Sequence, residues 1–192
     1  MRRLVRLALL LIAGCAAPPP APPDPAVLSF GAAPPFALTV GRLVVVDGYR
    51  PPPGEAHVEH LFPIPPATAA ADWAHERLRA VGQSGTATFT ILEASAVAVP
   101  LPPQSSGLSA AFTRDPETRY DTRLAVRLAV DDPQTGRAAT VTAEASRSQA
   151  INQGATPAER RHLWFTLTAE LLQQLDGELA RTIPRYLGGV LR

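Results

Sequence analysis

Proline placement constrains this chain more than any other feature. Seventeen of its 21 prolines fall in three stretches, at 18–35, 51–66 and 100–103. Proline gives no amide hydrogen to a ladder and fixes φ, so each stretch interrupts helix and sheet alike. The first stretch, AAPPPAPPDPAVLSFGAAPPF, also has few apolar side chains to bury. It reads as a polyproline II tether, and about twenty residues at about 3.1 Å each would reach roughly 60 Å. The folded part is expected to begin near Phe36, as a single domain over 36–192.

Upstream of the tether stands MRRLVRLALLLIAGC. A basic start, a short apolar run from Leu7 to Ala13 and then small residues form the layout of a secretory signal. The run is far below the roughly 18 residues needed to span a bilayer. Its last four residues, Ile12-Ala13-Gly14-Cys15, resemble the lipobox of bacterial lipoproteins. That resemblance implies removal of residues 1–14, with lipid on the Cys15 thiol and on its new amino terminus. Residues 15–35 are then the lipidated Cys and its tether. Two or more acyl chains, at about 0.8 kcal/mol per buried methylene, make a stable membrane anchor. Among Gram-negative lipoproteins, Ala16 in place of Asp after the Cys implies delivery to the periplasmic face of the outer membrane.

All 18 basic residues are Arg, and three of them, Arg2, Arg3 and Arg6, lie in the segment expected to be removed. That leaves 15 Arg against 17 Asp and Glu, a balance that argues against nucleic acid as a partner. A lone Cys excludes a disulfide framework and a Cys-based zinc site.

Six elements are expected after the tether. Leu38 to Asp47 reads as a buried strand, and Ala67 to Val81 as a helix entered through Pro65-Pro66 and ended by Gly82. Its apolar stripe is Ala70, Trp73, Ala74, Leu78 and Val81. Thr86 to Val99 is a strand whose alternation slips near Leu92 to Ser95, which predicts a bulge. Arg119 to Val130 has the cleanest period of two, with Leu124, Val126, Leu128 and Val130 on one face. Asp131 to Gly136 supplies a turn, and Ala138 to Ser146 returns with a small inner face of Ala139, Val141, Ala143 and Ala145. Thr156-Pro157-Ala158-Glu159 is a capping box opening a helix over about 157–183, with Pro184 just past its end. The expectation is an α+β fold, a two-layer sandwich in the order β-α-β-β-β-α. One antiparallel-rich sheet carries two helices on one face.

Catalysis finds little support. His57-Val58-Glu59-His60 offers two ligands and a carboxylate with no fourth donor in view, so no metal is expected. Gly82-Gln83-Ser84-Gly85 lacks the G-x-S-x-G spacing and is read as a helix stop, and no phosphate loop or dinucleotide motif occurs. Asp131-Asp132 fits the local hydrogen bonding of a turn, and Glu93 and Glu144 stand alone on strands. Nothing combines a base, a nucleophile and an oxyanion donor, so the chain is expected to be no enzyme and to need no cofactor.

Two surfaces remain as candidates. On the polar sheet face Arg123 and Arg127, among Thr86, Thr88, Thr90, Thr140, Thr142 and Glu144, have the chemistry to meet phosphate on a lipid headgroup. A solvated face with an Arg–Glu cross-strand pair is the plainer alternative. The excursion PLPPQSSGLSAAFTRDPET, from Pro100 to Thr118, is longer than a connection between two strands needs. Leu101, Leu108 and Phe112 would be its apolar contacts to a membrane or partner protein. Disorder, or folding back over the domain's own core, is the alternative there.

The lipobox, the tether, DWAHERLRAVG, TATFTILEAS, YDTRLAVRLAVDDPQTGR and RRHLWFTLTAELLQQLDGELA together resemble, over about residues 36–187, two related groups. One is the ABC-type transport auxiliary lipoproteins, the other the small lipoprotein that plugs the lipopolysaccharide export channel. The resemblance is one of architecture, and no family residue beyond Cys15 carries over. It implies a non-catalytic accessory subunit of a cell-envelope assembly for lipid transport or export. Such a subunit is held to the membrane by its acyl chains and has an envelope protein as partner. The alternative is a stand-alone periplasmic binder of lipid or a small ligand, which would need a cavity between sheet and helices, left by the small residues Ala139, Ala143 and Ala145.

Overall fold

The computed structural model describes residues 28–30, 33–54, 56–102 and 115–192. The expected signal peptide, Cys15, and the loop residues Leu108 and Phe112 lie outside the described residues. The elements in chain order are β1 (Phe36–Leu38), β2 (Arg42–Asp47), α1 (Pro66–Arg77), β3 (Leu78–Ala80), β4 (Thr86–Pro100), β5 (Pro116–Asp132), β6 (Arg137–Asn152) and α2 (Pro157–Tyr186). A four-stranded sheet runs in the order β2-β4-β5-β6, with β2 parallel to β4 and the other pairs antiparallel. The fold is α+β, and both helices pack on one face of that sheet. Among the described residues no helix is long and apolar enough to cross a membrane.

The alternation read in β5 is the frame of the core. Leu124, Val126, Leu128 and Val130 are all buried, while Arg123 and Arg127 stand exposed on the other face. Across the ladder they meet Ala87, Phe89 and Ile91 of β4 and Val141, Ala143 and Ala145 of β6. The expected slip in β4 is a register shift between Ile91 and Glu93. It moves Leu92 outward, to 41% exposure, and returns Ala94 to the core.

On this inner face α2 lays Leu171, Leu172, Leu175 and Leu179, and α1 lays Ala70, Trp73 and Ala74. The expected capping box at Thr156 and Glu159 is formed, each side chain bonding the other's backbone amide. A second cluster lies toward the far end of the long strands. There Trp164 stacks on Phe62 with ring centroids 5.4 Å apart and meets Tyr120 edge-on at 5.7 Å.

Four expectations need correction. The segment 38–47 is not one strand, because the chain bends at Thr39–Gly41 and β1 and β2 join different sheets. The cause is a close crossing of two backbones: a Cβ at Gly82 would sit 2.5 Å from the Thr39 carbonyl carbon. Helix α1 stops at Arg77, and Leu78–Ala80 pairs in parallel with Phe36–Leu38, so Leu78 reaches the core by the strand while Val81 is 42% exposed. The element order is therefore β-β-α-β-β-β-β-α. Third, β6 runs to Asn152 and β5 begins at Pro116, so the hairpin is longer than its apolar alternation. Fourth, Pro184 lies inside the last turn of α2, where buried Ile183 and Leu187 keep the chain helical and Leu187 N–H bonds the Ile183 carbonyl at 2.8 Å.

Contacts to the core begin upstream of Phe36. Leu28 and Phe30 pack against it, and the Phe30 amide donates to Glu76 Oε2 at 2.7 Å. The Arg77 guanidinium, 3% exposed as a residue, bonds the Pro34 carbonyl and lies 5.0 Å over the Phe36 ring.

Candidate functional site

Among the described residues both helices lie on one face of the sheet, and the chemistry of the other face follows from the register. Each outward residue of β5 has a partner on either side: Arg127 lies between Thr90 and Thr142, Ala125 between Glu93 and Glu144, and Arg123 between Ser95 and Ser146. The next row is Val97, Asp121 and Ser148, followed by Val99, Arg119 and Ala150. Successive rows are about 6.8 Å apart. Basic and acidic rows thus alternate along the strand. Asp121 is engaged, accepting from Arg119 at 2.8 Å and from Ser148 Oγ at 2.5 Å. The Arg119 bond, then the Ser148 bond, hold its carboxyl below the ordinary range. The expected Arg–Glu pair is not formed: among the described residues neither Arg123 nor Arg127 makes a salt bridge to a carboxylate.

The structure separates the two predicted arginines. Arg127 stands on an open sheet, whereas Arg123 borders a cleft of about 650 Å³. The cleft exists because β2 accompanies β4 only as far as Ile91. The chain then leaves the sheet at Gly48 and passes through the rigid Pro51-Pro52-Pro53 run. It returns at Ala56–Val58, where Val58 N–H bonds the Ala96 carbonyl and Ala98 N–H the Ala56 carbonyl, each at 2.8 Å. Tyr49, Arg50, Pro52 and His57 form the wall. Leu92, Glu93, Ser95 and Val97 form the floor, with Asp121 and Arg123 at the far side.

Behind the wall lies a residue that sequence reasoning took for loop. Glu59 is 8% exposed and fills the gap that β2 leaves beside β4. It accepts from Tyr49 Oη at 3.2 Å and from the Ala96 amide at 3.3 Å. Burial, then the Glu59 charge and hydrogen bond, and then Glu93, push the Tyr49 phenol above its usual pKa, so it stays a donor. His57 Nδ1 is 3.7 Å from Glu59 Oε1, beyond hydrogen-bond range, and is buried without a hydrogen-bond partner. The only advance signal for this arrangement was the compact His57-Val58-Glu59-His60 run. Its function is to pin the returning chain. His60 is exposed, and among the described residues no group of three His, Cys, Asp or Glu is placed to hold a metal ion.

Most polar groups of the cleft are already engaged. Glu93 Oε1 accepts the Ser95 hydroxyl at 2.9 Å, Arg50 is tied to the Asp47 and Tyr49 carbonyls, and Asp121 is engaged as above. The guanidinium of Arg123 is the cleft's cation without a hydrogen-bonded partner among the described residues. Of the expected loop contacts, Leu101 is half-buried, its amide bonded to the Glu117 carbonyl at 2.9 Å. Asp132 confirms the turn reading of its pair, accepting from Thr135 Oγ1 at 2.7 Å and Ser84 Oγ at 3.0 Å.

No protein-family model matches the chain, and a search of curated proteins gives no match. Among solved structures, a minor lipoprotein from Acinetobacter baumannii is 16% identical, with a TM-score of 0.34 over 78% of this chain and 96% of that one. A Xanthomonas campestris protein of the DUF330 family is 12% identical, with a TM-score of 0.28 over 78% and 91%. PelC from Paraburkholderia phytofirmans, a dodecamer, is 12% identical with a TM-score of 0.25 over 74% and 93%. At such identities and scores, function has to be argued from this chain's own residues.

Proposed function

We propose that this chain is a non-catalytic lipoprotein of the outer membrane, facing the periplasm, that serves as an accessory subunit of an assembly for lipid transport or export. Its anchor is the acylated Cys15 implied by the lipobox. The stretch between Cys15 and Leu28, about 13 residues, holds the domain within roughly 40 Å of the membrane if fully extended in polyproline II. The envelope partner contacts the end of the domain where Leu101 and Glu117 lie.

One observation favours an accessory subunit over a stand-alone ligand carrier: the layer between sheet and helices is packed around Ala143 and Ala145. Of the small residues expected to leave the carrier its cavity, Ala143 and Ala145 are at most 5% exposed and share a core cluster with Leu171, Leu172 and Leu175 of α2, while Ala139 is partly buried against the same cluster. The small residues bring the helix close. Around Ala143 and Ala145 the described layer leaves no room for acyl chains, and the space of about 360 Å³ between β6 and α2, lined by Ile151, Ala155, His162 and Leu163, lies at the far end of the strands.

Crosslinking in intact cells, followed by mass spectrometry, tests the assignment. The expected result is one stoichiometric subunit of a transporter or export channel, lost when residues 100–118 are shortened. Recovery of the chain with no such subunit contradicts it.

A further inference from the structure

We infer that the cleft beside Arg123 takes a zwitterionic headgroup, a phosphate ester carrying an ammonium group. The inference rests on the lipid-assembly reading above and names the chemistry that the chain would recognise. Three features of the cleft point to this class. Its guanidinium has no hydrogen-bonded or salt-bridged partner among the described residues, and it is flanked across the two ladders by Ser95, whose hydroxyl is given to Glu93, and by Ser146. The guanidinium and the Ser146 hydroxyl together suit phosphate oxygens. Next to that cation, on the diagonal of the β4–β5 ladder, stands Glu93. Diagonal Cβ atoms lie about 7–8 Å apart. That leaves room for one small dipolar group between them, its phosphate toward Arg123 and its ammonium toward Glu93. A carboxylate so placed opposes a purely anionic headgroup. The third feature is apolar: Leu92, thrown outward by the bulge and 41% exposed, and Val97 line the same floor. They give the glycerol end of the headgroup a surface to lie on.

Arg127 supplies an internal control. It is on the same strand and face and is also exposed, with hydroxyls on both sides, but among the described residues it has no wall beside it. If bare sheet arginines were enough, the two would bind alike. The filled core fits the same picture, since a protein that reads a headgroup at its surface has no need to enclose the tails.

The test is a titration of the purified full mature chain, in phospholipid-free detergent, with three soluble probes. These are glycerophosphoethanolamine, glycerophosphoglycerol and inorganic phosphate, with binding followed by thermophoresis or by NMR line shifts. The expected result is saturable binding of glycerophosphoethanolamine, weakened at least about tenfold by Arg123→Ala and changed less than about twofold by Arg127→Ala. Arg123→Lys should retain part of it, and Glu93→Gln should erase the preference for the ethanolamine probe over the glycerol one. Arg123 is exposed, and thermal unfolding of each variant checks that the fold persists. Equal binding of inorganic phosphate, equal loss from Arg127→Ala, or no saturable binding overturns the inference. Because no partner protein is present, such a failure leaves the accessory-subunit assignment to its own crosslinking test.

Discussion

Asp176 on α2 receives the buried guanidinium of Arg77 on α1 at 3.0 Å. The same carboxylate oxygen accepts Trp73 Nε1–H at 2.8 Å, so one acidic group fixes how the two helices lie on the sheet. Removing it leaves a cation and an indole N–H without their acceptor. Breaking such a pair typically costs about 3–5 kcal/mol when both partners are buried. Asp176 retains 29% side-chain exposure, which lets water compensate in part. Asp176→Ala is therefore expected to lower stability by about 2–3 kcal/mol in urea unfolding, with Asp176→Asn less affected because it keeps an acceptor for Trp73.

Ala143 probes the filled layer. It is 3% exposed against α2, and a larger side chain has no space there. Overpacking costs about 1–3 kcal/mol. Ala143→Leu should lower the urea midpoint by a corresponding amount. A variant as stable as the parent would mean that the layer holds room for a ligand after all.

Acid should weaken the β4–β5–β6 end through Asp132. Hydrogen bonds from Thr135 and Ser84, and from the Gln134 and Thr135 backbone, hold its carboxyl below the ordinary range, against the opposing effect of burial. A depressed folded-state pKa gives stability that is fully present above the unfolded value of about 3.9 and is lost as pH falls through the folded value. Asp132→Asn should therefore be less stable than the parent at pH 7. The gap should narrow below about pH 4, and urea midpoints measured from neutral pH downward test this.

Gly85 sits against the same carboxylate. Its φ is +77° and an added Cβ would lie 2.7 Å from Asp132 Cβ. Both the backbone and the neighbour oppose a side chain, so Gly85→Ala is expected to cost about 1–3 kcal/mol. Gly136, also at positive φ but with nothing within 4 Å of an added Cβ, should tolerate Ala better. Thermal unfolding of the two variants side by side checks the difference.

The sequence was legible wherever side-chain period alone decides structure. In β5 the alternating residues from Leu124 to Val130 identify the buried face, and in α2 the recurring Leu residues with the Thr156–Glu159 box mark both face and start. Even the bulge is visible as a slip of alternation. What stayed hidden depends on long-range contacts. Leu78 continues the helical stripe of α1, but β1 offers its backbone a pairing partner, and that partner is some forty residues upstream. Beyond Ser146 the outward residues of β6 lack a pattern, yet β5 carries them on by register. The bare face could be foreseen from Arg123 and Arg127, since alternate residues of one strand share a face. The cleft could not, because it arises where β2 stops and Glu59 returns, and no local pattern shows that these meet.

Mass spectrometry of the protein extracted from membranes under native conditions tests the proposed lipid anchor and the packed core together. The expected result is a mature chain beginning at Cys15 and heavier by its acyl groups, with no further lipid held in stoichiometric amount. A chain that retains Met1 and carries no acyl mass, or one that brings out a bound lipid for each protein molecule, would contradict it.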